Sequence, residues 1–520
     1  MIILAFLLGL AGGAYWALHN SNVQTYLVNK LAVQLSERLN ATIKIGKVRV
    51  TFFNKVILED VLMEDQTTDT LFYAQTVTAN IDSLKYRKRQ VYLNRLVFRE
   101  SQFKTERDTT GEFNFSFIAE ALQSPGKQSA EWEIQCHDFD FFSPKSTFHD
   151  QFDQNNKKYV AHDIQINISD FSLLEDSVYF EIDQLTLNDN QNFKITELQS
   201  VFTSKNKMIE LAELNLETDR SNISESKVTI EFPSEKKDSL QMLQFDFVLN
   251  NSKISLYDIS QLVPALKGMN QLVELSGEVY GNIDDLKGRN LILNTGRNTS
   301  AVLDFYANDI SDPENMYLFV DLKRSQTSFQ DLSRVKLPQN WGTGYLSFPE
   351  SLYEAGIFSY KGNFTGFLTD FVAFGTLSSD MGILTTDLSV RPEQARQVNF
   401  RGEVATENFM LGELFKIKNV GEITFDSSVD GYFNRDDQSV AAAFDGEITE
   451  VDFNQYNYQN IEIDGILNNR MFDGLIAMND PNLQFDFLGK INLNPDVPVF
   501  DFRVEMQKAL PGRLNLSENF

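Results

Sequence analysis

Along most of the chain apolar and polar positions alternate. Ile43 and Ile45 alternate with Lys44 and Gly46, then Val48, Val50 and Phe52 with Arg49 and Thr51. The runs VILEDVLMED at 56–65, LFYAQTVTANIDSL at 71–84 and VYLNRLVFRE at 91–100 keep the same period. Ile164, Ile166 and Ile168 repeat it, as do Val178, Phe180 and Ile182. Further on, Leu243, Phe245, Phe247 and Leu249 share one phase, as do Leu483, Phe485 and Phe487, and Phe500, Phe502, Val504 and Met506. A period of two sends successive side chains to opposite faces, so each run predicts a strand with one apolar and one polar face.

The N-terminus breaks this pattern. Residues 1–18, MIILAFLLGLAGGAYWAL, carry no charge. A helix of that length spans about 27 Å, close to the hydrocarbon thickness of a bilayer. Tyr15 and Trp16 stand where an interfacial anchor would lie. The stretch predicts one transmembrane helix, oriented with residue 21 onward on the extracytoplasmic side. A cleaved signal peptide and a buried core helix are the competing readings; Ala11, Gly12, Gly13 and Ala14 offer a cleavage site, but there is no basic n-region. Next, Val23, Leu27, Leu31, Leu35 and Leu39 recur at spacing four and predict an amphipathic helix over the end of a sheet. Short helices are expected at 113–122, 259–266 and 329–335. The resulting divisions are an anchor at 1–19, a helix and strand region at 20–124, and a repetitive β region at 125–520, with Pro125-Gly126 in the polar loop between the last two.

A weak internal repeat runs through the third region. Residues 277–293, 362–379 and 464–478 each set glycine around a short apolar strand and a polar turn, as hairpins do. The predicted fold class is mostly β: the transmembrane and amphipathic helices, then a long curled antiparallel β-sheet forming an apolar groove. A series of closed sandwiches fits the same alternation.

Composition narrows the function classes. Forty-six Lys and Arg against 73 Asp and Glu give a net charge of −27, which argues against nucleic acid as a partner. The first hundred residues are mildly basic and the remainder strongly acidic. The 43 Phe and 17 Tyr suit strands. Cys136 is the one cysteine, so no internal disulfide forms. His19, His137, His149 and His162 lack the spacing of metal ligands. Lys267-Gly268 lacks the context of a phosphate loop. Acidic pairs such as Glu59-Asp60 and Asp284-Asp285 have no acid–base partner. The basic run Lys85–Arg89 reads as a solvated turn, with a membrane surface or a partner as alternatives. No catalytic, cofactor-binding or metal-ligating residue is assigned, no cofactor is expected, and the chain is not expected to be an enzyme.

The N-terminal third carries a family likeness. The anchor, the helix ending in Leu39-Asn40, Ile45-Gly46-Lys47-Val48, Phe53 with Glu59-Asp60-Val61, Asp69-Thr70-Leu71 with Tyr73-Ala74, and Gly111-x-Phe113-Asn114-Phe115 follow in order. This series resembles AsmA-like proteins, specifically the TamB-type translocation and assembly module proteins of Bacteroidota. Leu275-Ser276-Gly277 to Leu286-Lys287-Gly288 looks like that group's repeated sheet. The resemblance implies an inner-membrane, single-pass protein with its bulk in the periplasm, serving outer-membrane biogenesis. Its implied partners are phospholipids, the inner membrane and an outer-membrane barrel assembly partner met through a missing C-terminal region, since the chain stops at Phe520 without a closing cap.

The leading expectation is therefore a bridge-like phospholipid transfer protein. The alternative is a scaffold or chaperone for translocation and assembly of outer-membrane proteins, and a degradative periplasmic enzyme stands third. Phe245, Phe247, Phe485, Phe487, Phe500 and Phe502 are the candidate groove-lining residues.

Overall fold

The computed structural model describes residues 25–26, 36 and 41–515, apart from 52–53, 89, 118–132, 152–156, 175–176, 191–192, 233–242, 263–265, 283, 311–314, 338–343, 347, 349, 394–396, 435–438 and 494–496. The chain divides into two units, Met1–Lys253 and Ile254–Phe520.

Unit 1 is built from strands β1 (Ile43–Thr51), β2 (Lys55–Glu64), β3 (Thr70–Lys85), β4 (Gln90–Arg107), β5 (Glu133–Phe142) and β6 (Lys145–Asp150). They are followed by β7 (Lys157–Leu174), β8 (Ser177–Asp189), β9 (Lys194–Lys205), β10 (Met208–Thr218), β11 (Asn222–Glu231) and β12 (Gln244–Ser255). β1 to β4 and β7 to β12 pair antiparallel with their neighbours in sequence. Between these runs, β4, β5, β7 and β6 close a four-strand ring of pairings. Registers explain the ring. Gln90 opposes Glu133 and Arg107 opposes Asp150, the same offset throughout, so β5 and β6 occupy one lane end to end between β4 and β7. Ser143, at φ 53°, and Pro144 interrupt that lane without shifting it.

Unit 2 continues with β13 (Leu272–Asn282), β14 (Asp285–Thr295), β15 (Thr299–Asn308), β16 (Tyr317–Ser328), β17 (Ile357–Phe367), β18 (Asp370–Ser379) and β19 (Gly382–Glu393). Then come β20 (Gln397–Met410), β21 (Val420–Asn434), β22 (Val440–Phe453), β23 (Tyr456–Asn468), β24 (Met471–Asn479), β25 (Leu483–Asn492) and β26 (Val499–Ala509). Each pairs antiparallel with the next, without a crossover. Helix α1 (Leu256–Leu262) precedes β13, α2 (Phe329–Leu332) follows β16 and α3 (Leu411–Phe415) follows β20. The larger repeating unit is thus four strands closed by a helical turn, and the first two glycine repeats are the opening hairpins of such modules.

The structure corrects the expected fold class. Among the described residues no helix is long and apolar enough to cross a membrane, and the described helices of unit 2 have seven, four and five residues. The expected anchor at 1–19 lies outside the described residues. So does most of the expected amphipathic helix, of which Thr25, Tyr26 and Ser36 are helical. The sheet is also not wholly antiparallel, because β5 and β6 run parallel to β4. Pairing partner is a long-range property that strand periodicity does not encode.

Bulges set the local bends. At register shifts Asp170, Glu213, Glu225, Asn251, Asn290 and Asn408 adopt φ between 43° and 51° within strands. Acidic and Asn side chains tolerate this left-handed region better than β-branched ones. An extra residue in one strand bends it and strengthens its twist. The amide it frees finds a side-chain oxygen on an adjacent strand: Asn290 N donates to Asp304 Oδ1 at 2.6 Å, Glu225 N to Asn215 Oδ1 at 3.0 Å and Asn408 N to Thr424 Oγ1 at 3.1 Å. Small buried side chains fill the inside of the bends in unit 1, where Ser226 and Ser252 are fully buried and 3.2 Å apart.

Candidate binding face

In unit 2 the registers align apolar residues into rows. One row runs Val279, Gly288, Phe305, Val320, Phe364, Ala373, Leu388, Gly402, Val429, Phe444, Gly465, Gly474, Gly489 and Phe502, one residue from every strand. A neighbouring row holds Phe371, Val390, Phe400, Ala442, Leu467, Phe472, Ile491 and Phe500. Because side chains alternate, all of these share one face. Most are half-buried against each other, with no second sheet packed over them among the described residues.

Glycine makes the rows fit. A Cβ on Gly288 would stand 2.3 Å from Cε1 of Phe305, so the ring lies over the bare backbone of its neighbour. Gly402 adopts φ +148°, and a Cβ there would meet the Asp387 carbonyl at 1.9 Å. Large rings beside glycine keep the face apolar while letting strands bend, a pairing that also shields the exposed glycine backbone.

The opposite face carries carboxylates. Asp304 opposes Asp321, Asp387 opposes Glu403, Asp445 opposes Asp464 and Glu447 opposes Glu462. Like charges directly across a ladder destabilise it, and a few cations relieve them. Lys323 Nζ lies 2.6 Å from Asp304. Its hydrogen bond, opposed by burial and helped by the Asn290 amide, holds the Asp304 carboxyl below the ordinary carboxylate range.

The ends of the apolar face are plugged. Leu514, fully buried after the 3-10 turn Pro511–Arg513, packs with Tyr458, Ile461, Ile448, Ile476, Met478 and Leu483. Phe329 of α2 packs tilted against Phe358 and edge-on to Phe348, with ring centres 4.6 and 5.0 Å away. Below Leu514, Asp480 is fully buried and accepts from Tyr456 Oη at 2.7 Å, Gln459 N at 3.1 Å and Asn482 N at 2.7 Å. These contacts are complete, and they fix the loop between β24 and β25.

The six phenylalanines expected to line one groove have unequal surroundings. Phe245 and Phe247, half-buried and 5.3 Å apart between ring centres, lie on β12 in unit 1. Phe485, Phe487, Phe500 and Phe502 belong to unit 2, where Phe487 is 5% exposed but Phe500 and Phe502 are 57% and 50% exposed. Equal spacing in sequence therefore hides unequal surroundings: β25 has a neighbour on each side, whereas β26 has a single described partner.

Two cavities of about 790 and 660 Å³ lie elsewhere. The first is polar, lined by Asn270, Gln271, Asn294, Arg297, Asn298 and Gln326 among others, and the second by Arg391, Arg401, Asp430, Tyr432 and neighbours. Neither contains any of the six phenylalanines.

Catalytic chemistry finds little to build on. Cys136 is buried, its thiol lies 3.3 Å from the Asp138 carbonyl, and burial pushes its pKa up to about 11. His137 is exposed, with Nδ1 3.0 Å from Asp170, whose hydrogen bond raises its pKa. No group of three or more potential metal ligands occurs among the described residues. Lys85 caps the Tyr92 ring at 4.6 Å beside the 3-10 turn Tyr86–Lys88.

The described segments among those carrying the family likeness come together in space. Gly46 on β1 faces Asp60 on β2, with its Cβ direction 3.0 Å from Asp60 Cβ, and Tyr73 Oη donates to Asp60 at 2.9 Å. Asp65 is buried and accepts from Thr67 N and Oγ1, Asp69 N and Asn114 Nδ2. Burial opposes ionisation of Asp65, but those bonds outweigh it and hold its pKa low. Asp108 repeats the same turn with Thr110 and Glu112. These residues form one bulged hairpin and the loop tied to it.

No family model, curated protein or solved structure matches the chain.

The functional expectations are accordingly corrected. Among the described residues no helix supports the single-pass inner-membrane placement with a periplasmic bulk, and residues 1–19, on which that placement rested, lie outside them. Phospholipid transfer and outer-membrane protein assembly find no support either, because neither described cavity holds any of the residues assigned to a lipid groove. No contact with a phospholipid, a membrane or a barrel partner follows from this geometry.

Proposed function

We propose that this chain is a non-catalytic binding protein on the AsmA-like, TamB-type plan, and that the apolar face of β13–β26 takes a basic, amphipathic polypeptide segment. The carrying observation is the set of apolar rows that cross every strand of unit 2 with carboxylates behind them. The clustering of Gly46, Asp60, Tyr73, Asp65, Asp69 and Asn114 supports the family plan.

Area, rather than directed polar groups, supplies the affinity of such a face, at about 25 cal/mol per Å² of apolar surface removed from water. Sign comes from the whole chain. A net charge of −27 attracts Lys and Arg on a partner's polar side and repels an anionic one.

The test uses an 18-residue Lys/Leu amphipathic peptide with a fluorescent label, titrated with the full chain and read by anisotropy. Phe364→Asp and Phe444→Asp should each weaken binding about tenfold or more, while Asp445→Asn on the opposite face should change it less than about threefold. Circular dichroism confirms that each variant is folded. Equal binding by apolar-face and opposite-face variants would sink the proposal. So would equal binding of a Glu/Leu peptide at low salt, since charge then plays no part.

A further inference from the structure

Ser300 shares a strand face with the carboxylate of Asp304, but the row it belongs to is mostly uncharged. Glu274 opposes Asn294, Asn294 opposes Ser300 and Ser300 opposes Gln326, across β13 to β16. This row lines the cavity of about 790 Å³, together with Arg297 and Asn298 of the turn between β14 and β15. That volume lies in the range of small-molecule sites. Among the described residues, the side chains of Asn294, Arg297, Asn298 and Gln326 have no hydrogen-bond partner. Asp331 holds the turn from behind. It is 6% exposed and accepts from Arg297 N at 3.1 Å and Asn298 N at 2.6 Å. Ser328 Oγ accepts from Asp331 N at 3.2 Å, which ties α2 to the same turn. Gly296, at φ +61°, permits the approach, since a Cβ there would stand 3.2 Å from the Asp331 carboxyl carbon. The backbone of Arg297 and Asn298 is thus fixed before any ligand arrives, which lowers the ordering cost of binding.

We propose that this cavity binds a neutral mono- or disaccharide. A carboxamide donates through its nitrogen and accepts through its oxygen, and each sugar hydroxyl also does both. Asn294, Asn298 and Gln326 therefore match a hydroxyl-rich ligand better than an ion or a hydrocarbon. The formal charges of the cavity cancel, Arg297 and Arg334 against Glu274 and Asp331. At longer range the net charge of −27 disfavours an anionic sugar. Leu272 and Val335 supply apolar contact for the C–H edge of a ring. None of the described lining residues is aromatic, so stacking adds nothing and a Kd of about 1 mM is expected. The site is distinct from the apolar face and does not depend on a polypeptide binding there.

Isothermal titration calorimetry of the full chain with maltose, cellobiose and lactose tests this. At least one should bind saturably, and Asn294→Ala combined with Gln326→Ala should weaken that binding about tenfold or more. Both positions are exposed, so the substitutions leave the fold in place, which circular dichroism checks. Phe444→Asp on the apolar face should leave sugar binding within about twofold of the parent. The absence of saturable heat with all three sugars up to about 20 mM would overturn the proposal. So would undiminished binding by the double variant. Tighter binding of glucuronate or of triglycine than of any disaccharide would overturn it too, since the cavity would then select charge or peptide groups.

Discussion

The two units rely on bulges to different extents. In unit 1, pairings from β2 to β12 are repeatedly shifted by bulges, as between Leu211 and Leu214 or Ser169 and Ser172. Asp170, Glu213 and Glu225 take the left-handed conformation there. In unit 2 the ladders β17–β18, β18–β19 and β19–β20, and again β22–β23, β23–β24 and β24–β25, run without a shift. Their freedom comes from glycine placed beside rings. Unit 1 turns its strands by added residues; unit 2 does so in some ladders, as at Asn290 and Asn408, and in others removes a side chain.

That contrast gives graded expectations. The largest effect belongs to Gly402→Val, where a Cβ 1.9 Å from a carbonyl oxygen and φ +148° leave no room for relaxation. A loss of about 3–5 kcal/mol is expected, seen as hydrogen exchange accelerating in β19 and β20; unchanged protection would mean that glycine is not what permits the bend. Asp480→Ala removes a fully buried acceptor shared by three donors and should cost about 1–3 kcal/mol, measured by denaturant unfolding of the chain. In unit 1 the sign reverses. Glu213→Gly removes a non-glycine residue from φ 51° and should stabilise by about 0.5–1 kcal/mol; destabilisation would show that the side chain matters more than the backbone.

The smallest effect is on pH dependence. Asp304 and Asp65 have folded pKa values below the ordinary 3.8, so each contributes stability that is present above that pH and is lost as pH falls towards its folded value. Asp304→Asn should flatten the acid limb of the stability profile below about pH 4, leaving the limb above pH 5 unchanged. A profile identical to that of the parent chain would remove Asp304 from the account.

Alternation makes the faces of single strands legible in the sequence, but not the ladder those strands form. Leu286 and Gly288 keep a period of two, and so do Leu291 and Leu293, but Asn290 inserts a step of three between them. A one-residue slip reverses all later side chains, and in sequence it looks like the end of a strand. The β5–β6 lane is hidden for a second reason: nothing in Glu133–Phe142 marks β4 as its partner. Nor does alternation separate Phe487 from Phe502, because exposure depends on how many strands lie beyond each residue. Leu514 gives no signal because it belongs to no periodic run, yet it closes the apolar face at one end. The glycine repeats are legible as hairpins, while the ring lying over Gly288 is not.

The lane shared by β5 and β6 also bears on how the chain is made. In unit 2 each strand finds its partner in the segment synthesised just before it, so a ladder leaving the ribosome can lengthen one strand at a time with short loops to close. β5 cannot follow that rhythm. Running parallel to β4, it must wait until residues 108–132 have carried the chain back to the start of that strand. During that interval the free edge of β4 stands open and unpaired. Translation speed across residues 108–150 would then govern the yield of correctly folded protein more strongly than it does anywhere in unit 2.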